Sequence, residues 1–334
     1  MDAFAGRRAV ESTRGMRWRT PLVASLLAVL CFGACATTAS AAPSAPTVLT
    51  DPATGITPVG ATLHGRVNPI GHAADAWFQY GTTKSYGQRT PSQNAGTTGE
   101  IAISAGISGL TSNKTYHFRI VAENKDGRRN GADRTFKTSK PTTTPVFTPN
   151  PVPYGKPVSV SGQIVGTGAN GAQVSLFGHV FPYTDPFTQF GNTVLADSQG
   201  NYLFILSSAL SNSIFQVRAK TTPAFTSANQ LLHVSSTISL HTPSSIKRRT
   251  RVHFWGIVAP AQDGIVVEIQ KLQKDGSWAL FTRTTLQHRA AGGSRYTTRK
   301  SLWHSRTFRA VVHSAGGAVD EGTTQGAHFI KVHR

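Results

Sequence analysis

Residues 110–124 read Leu-Thr-Ser-Asn-Lys-Thr-Tyr-His-Phe-Arg-Ile-Val-Ala-Glu-Asn. From Tyr116 onward every second residue is apolar: Tyr116, Phe118, Ile120 and Ala122. A period of two puts these side chains on one face of an extended strand, where a helix would scatter them. Working outward, Ala61, Leu63 and Val67 alternate with polar residues, Trp77-Phe78-Gln79-Tyr80 runs into Gly81, and Ile101 and Ile103 repeat the pattern. Beyond position 42 no ten-residue stretch carries helical periodicity, and Gly, Pro, Asn or Ser bounds each short run. That is the signature of an all-β chain with frequent turns.

Composition agrees. The chain has 334 residues, of which 15% are charged, with 32 Gly and 18 Pro. Coiled coils need far more Ala, Glu, Lys and Leu, and a wholly disordered chain would lack the alternating bursts.

Residues 1–42 read as a secretory signal peptide. Arg7, Arg8, Arg14, Arg17 and Arg19 form a basic head, Pro21 to Ala36 an apolar middle, and Ala39-Ser40-Ala41 a small-residue exit, with cleavage expected near Ala41-Ala42. An uncleaved signal anchor and a lipoprotein at Cys35 are the alternatives. Cys31 and Cys35 are the only cysteines, so the exported chain is expected to have neither disulfides nor thiol chemistry. No mature transmembrane helix is expected, and the chain ends Lys331-Val332-His333-Arg334 without an apolar tail.

The Leu110 to Asn124 stretch, with Leu and Tyr six residues apart and a closing Ala-x-Asn, resembles the corner and following strand of a fibronectin type III domain. Phe78 to Gly87 resembles the preceding region of a variety found in exported bacterial proteins. The resemblance spans 43–139 and implies a sandwich with structural residues at these positions. Asn113-Lys114-Thr115 spells a glycosylation sequon, but Asn113 reads better as a corner residue. Residues 140–153, with five prolines, read as a stiff Pro/Thr linker.

Two further blocks repeat each other. Gly162 matches Gly256, Val174 and Leu176 match Val267 and Ile269, Tyr202 matches Tyr296, and Phe215 matches Phe308, all near one offset. The pattern resembles bacterial immunoglobulin-like domains, at 154–236 and 237–334. The expected fold is therefore all-β: three tandem antiparallel β-sandwiches, one fibronectin type III-like and two immunoglobulin-like.

No H-E-x-x-H, phosphate-binding glycine loop or nucleophile elbow occurs. Asp126-Gly127 and Asp275-Gly276 read as turns, and the 12 histidines lack the close spacing of a metal site. The expectation is no enzyme, no cofactor, no metal and no small-molecule substrate.

Charge carries the functional signal. Without residues 1–42 the chain keeps 29 basic and 13 acidic residues, and 237–334 alone holds 15 and 5, a net +10. Such asymmetry suggests an anionic partner. Alternation places Arg249, Arg251, His253 and Trp255 outward on one strand and Arg295 and Arg299 outward on its expected neighbour. Together they make a basic face suited to phosphate or carboxylate. A second candidate is the loop carrying Phe181, Tyr183 and Phe187, whose rings could grip glycans or surface proteins, or instead plug the core or pack on the next module. The function these features imply is a secreted or cell-surface, non-catalytic binding or adhesion protein, its last module associating with anionic cell-wall or extracellular polymers. A structural spacer and an accessory carbohydrate-binding protein are the alternatives.

Overall fold

The computed structural model describes residues 44–314 and 316–334. The proposed signal peptide, its cleavage site, Cys31 and Cys35 lie outside the described residues. Among those described there is no helix, and so none long and apolar enough to cross a membrane. The fold is all-β, a tandem series of mostly antiparallel sandwiches, each closed around its own core.

The first core gathers Leu63, Phe78, Phe118, Ile120 and Phe136. A three-stranded sheet of Thr47–Thr54, Gly60–Asn68 and Ile101–Ser108 covers one side. The other sheet centres on Ala74–Gly81 paired with Thr115–Asn124. Tyr116 is buried and its hydroxyl accepts a hydrogen bond from the Thr111 amide at 2.9 Å, which fixes the corner where the chain changes sheet. Asn113, on that corner, has φ +55°. Asn124 ends the strand by donating to the Ser44 and Pro69 carbonyls while its oxygen accepts from the Asp126 and Gly127 amides.

The stretch expected to be a linker is largely strand and core. Pro141, Thr143, Pro145 and Phe147 are buried in alternation with exposed neighbours. Val146–Thr148 pairs with Val158–Gln163, and Phe147 and Val152 belong to the second core. The flanking Pro145 and Pro149 hide this short strand from a reading by apolar alternation, and a sheet edge tolerates them because no ladder needs their missing N–H.

The second and third modules share a device absent from the described strand pairs of the first. Each opening strand is split: its first half joins the sheet of the Gly- and Tyr-bearing strands, its second half pairs in parallel with a late strand. Val152–Pro153 pairs with Val234–Ser235, and Ser245–Lys247 with His328–His333. The repeat is also visible across the ladder. Gly162 faces Tyr202 and Gly256 faces Tyr296. Each Tyr ring lies where a glycine Cβ would be, 2.4 Å from the Tyr202 hydroxyl and 2.7 Å from Tyr296 Cε1. The hydroxyls reach the opening strand, Tyr202 to Thr143 Oγ1 at 3.0 Å and Tyr296 to the Ser239 carbonyl at 2.7 Å.

Successive modules are tied by polar contacts. Ser112 and Thr167 exchange two hydrogen bonds, each amide donating to the other's hydroxyl at 2.9 Å. At the second junction Val319 leaves the third module to enter the second core. Buried Asn212 donates to the Gly317 carbonyl at 3.1 Å and to Asp320 Oδ1 at 2.9 Å, and accepts from the Val234 amide.

Candidate functional site

The basic face rests on two adjacent strands of the third module. In Arg251–Ala259, Val252, Phe254 and Val258 are buried, which turns Arg251, His253 and Trp255 outward. Ser294–Ser301 lies antiparallel beside it, with His253 opposite Arg299, Trp255 opposite Thr297 and Ile257 opposite Arg295. Because Tyr296 is inward, Arg295, Thr297 and Arg299 share the outward face. The structure thus brings Arg251, Trp255, Arg295 and Arg299 together on one surface.

Arg249 does not join them. The alternating run starts two residues later than expected: the strand begins at Arg251, and Arg249 sits at φ +66° in the preceding turn. Its guanidinium lies 4.8 Å above the Trp303 ring instead, a cation–π contact.

No carboxylate occurs on the four strands of this sheet, Thr237–Ile238, Arg251–Ala259, Gln287–His288 and Ser294–Ser301. Among the described residues, the arginines paired with carboxylates are Arg66, with Asp51 and Glu100, and Arg283, with Glu268; all belong to other sheets. The cations of the basic face are left to solvent. Asp263 approaches the end of the sheet, but it is engaged by Ser294 at 2.5 Å and His288 at 3.0 Å. The Ser294 hydrogen bond, then His288, hold its carboxyl below the usual range, with burial opposing them.

Trp255 is 42% exposed, and His241 from the opening segment stacks on it at 4.1 Å and 21°. Beside it runs an open groove of about 550 Å³ lined by His253, Trp255, Gln287, Arg289 and Arg295. Arg289 escaped sequence reading because only the short Gln287–His288 pairing brings its loop to the face. Its Nη1 donates to the Gly292 carbonyl at 2.7 Å. The arrangement can receive an anionic group beside an aromatic surface. Among the described residues no cluster of His, Cys, Asp or Glu is placed to hold a metal ion.

The aromatic loop of the second module divides. Phe181 is taken up by the junction: its amide donates to the Asn212 carbonyl at 2.9 Å, and its ring lies so close over Gly317 that an added Cβ there would sit 2.2 Å from Cε2. Tyr183 meets Phe181 edge-on at 5.6 Å. Burial, then the Asp320 charge, push the Tyr183 hydroxyl up. Phe187 is stacked by His179 at 4.2 Å. These rings hold one another and the neighbouring module.

No protein-family profile matches the chain, and no curated protein does. Solved structures are similar in part. The sensor domain of the anti-sigma factor RsgI4 from Pseudobacteroides cellulosolvens is 22% identical over 28% of this chain and 90% of that one, with TM-score 0.24. The FN1–FN3 domains of chicken CNTN1 are 11% identical over 86% of this chain and 100% of that one, TM-score 0.24. A tetra-tandem repeat from the extending region of a large adhesion protein is 16% identical over 85% and 74%, TM-score 0.24. Superpositions at that score carry no argument, and the fold rests on the strand pairings themselves.

Proposed function

We propose that this chain is a non-catalytic modular binding protein of the cell surface or exterior, whose third module associates with anionic polymers. The observation that carries this reading is the carboxylate-free sheet presenting Arg251, Arg295 and Arg299 around Trp255, with none of the three arginines within ion-pairing distance of a carboxylate among the described residues. Guanidinium groups bind carboxylate, sulfate and phosphate through paired N–H donors. Unneutralised and on one face, they add to a field that draws in polyanions. Export is supported by the pattern of residues 1–42 and adhesion by the tandem sandwiches.

Heparin chromatography and titration at rising salt test the reading. Binding should weaken steeply with ionic strength, as counterion release requires. Arg251→Gln/Arg295→Gln/Arg299→Gln should lower the slope of log K against log salt by about two to three, at just under one per released ion. Replacing Lys84, Arg129 and Lys137 of the first module should leave it nearly unchanged. Equal effects from both sets would overturn the assignment and leave a spacer, a reading supported by the hydrogen-bonded junctions.

A further inference from the structure

The second module carries its own convergence of charge, on a face that sequence reading did not single out. Residues 140–236 contain only four basic and two acidic residues: Lys140, Lys156, Arg218 and Lys220 against Asp185 and Asp197. Three of the four cations, Lys140, Arg218 and Lys220, line one open groove of about 830 Å³, and neither carboxylate does. That volume falls in the range of about 300–1,000 Å³ typical of ligand clefts.

The groove lies on the outward face of the sheet formed by Gln173–Val180, Thr188–Leu195 and Ser213–Lys220. Val174, Leu176, Phe215, Val217 and Ala219 point into the core, so Ser175, Phe177, Arg218 and Lys220 point out. A register shift between Val174 and Leu176 marks a bulge there, which bends the paired strands. Arg218 is pre-positioned. Its Cζ sits 3.8 Å over the centre of the Phe177 ring. With the Gln216 amide turned so that its oxygen faces the guanidinium, that oxygen accepts from Arg218 Nη2 at 2.7 Å and Nε at 3.3 Å. Ser175 and Thr193 hydroxyls meet at 2.7 Å, and the Gln189 amide donates to Thr193 at 3.4 Å. The result is an anchored guanidinium that shares its groove with two lysines and with neutral hydroxyl and amide groups.

We propose that this face is a binding site for an acidic saccharide, its carboxylate or sulfate held by Arg218 with Lys140 and Lys220, its hydroxyls met by Ser175, Gln189 and Thr193. Three cations without a carboxylate select an anion, and a guanidinium held flat loses little freedom on binding one. Side chains that both donate and accept match sugar hydroxyls. A peptide seeking strand pairing would use the free edge at Thr188–Leu195, whereas Ser175, Phe177 and Arg218 lie on inner strands whose backbone groups are spent on their neighbours. The site is on a different module from the basic face, and neither reading depends on the other.

The test uses the full chain in the Arg251→Gln/Arg295→Gln/Arg299→Gln background, so that the third module does not contribute. Calorimetric titration with a galacturonate hexamer, a chondroitin sulfate hexamer, cellohexaose and a hexaglutamate peptide separates the chemistries. The expected result is binding of one or both acidic saccharides, weakened about tenfold or more by Arg218→Gln, as loss of a charged hydrogen bond implies. Lys220→Gln should weaken it several-fold, and Arg218→Lys should retain part of it. Galacturonate alone would assign a carboxylate, chondroitin sulfate alone a sulfate. Circular dichroism confirms that the variants fold, and Lys220→Gln gives an independent reading should Arg218→Gln not. The proposal is overturned by no binding of either acid up to about 1 mM, by affinity indifferent to both substitutions, or by cellohexaose or the peptide binding as well as the acidic saccharides.

Discussion

At the residue scale, the glycine facing a tyrosine shows how one missing side chain sets the packing of a sandwich. At Gly256 an added Cβ would lie 1.9 Å from the Ser239 carbonyl, a backbone atom that moves only with its strand. At Gly162 its nearest neighbours are the hydroxyl end of Tyr202, which can tilt away. Gly256→Ala should therefore cost about 2–3 kcal/mol and Gly162→Ala nearer 1, in the range of overpacked cores, as urea midpoints will show. His313 offers a second test. It is paired with Glu321 at 2.9 Å and lies 3.5 Å from Glu268. The Glu321 hydrogen bond, with Glu268 adding to it and burial opposing both, raises its pKa above 6.5. Its stabilisation is full below that value and lost as pH rises through the raised one. Glu268 runs the other way: the Gln270 hydrogen bond first, then Arg283 and His313, hold it below 4.5 despite burial. Its contribution is present above that value and lost as pH falls through the lowered one. The urea midpoint should thus decline as pH rises above 6.5 through the raised His313 pKa, and His313→Gln should flatten that decline.

At the element scale, the segment from Gly316 to Asp320 acts as a plug between modules. Val319 is 4% exposed and sits in the second core although the strands around it build the third. Asn212 binds both sides with its donor and acceptor atoms, so its removal leaves buried partners unsatisfied. Asn212→Ala should cost about 1–3 kcal/mol. Hydrogen exchange should then quicken both in Ser213–Lys220 and around Asp320, while Thr115–Asn124 keeps its protection. Quickening in the second module alone would deny the plug its coupling role. The approach to the strand at Val146–Thr148 makes a related point: buried positions can alternate with exposed ones even where proline and threonine, at 141, 143 and 145, fill them.

At the scale of the whole molecule, charge is distributed by face more than by module. The third module carries most of the excess, yet its carboxylates at 263, 268, 275, 320 and 321 all lie outside the strands of the basic sheet. The second module is nearly neutral in sum and still gathers three cations at one groove. Two anion-binding faces on one chain would act together on a long polymer, since binding at one raises the local concentration of ligand at the other. Intact protein should hold long acidic polysaccharide more tightly than hexamers by more than the sum of the two sites. Losing either set of arginines should remove most of that gain in calorimetry.

A common offset between two blocks marked the Gly–Tyr repeat and a family resemblance marked the Tyr116 corner, while alternation alone determined the all-β class and the outward run of Arg251, Trp255, Arg295 and Arg299. It could do so because a strand sends neighbouring side chains to opposite faces, so that period two is written directly in the residues. Only the tertiary structure decided that Arg249 belongs to a turn, that the proline-rich stretch contributes two short strands, that Phe181 closes a junction, and that Lys140, Arg218 and Lys220 share a groove. Each of these depends on where a strand starts or which distant segments meet, and contacts between residues tens of positions apart leave no periodic trace in the chain.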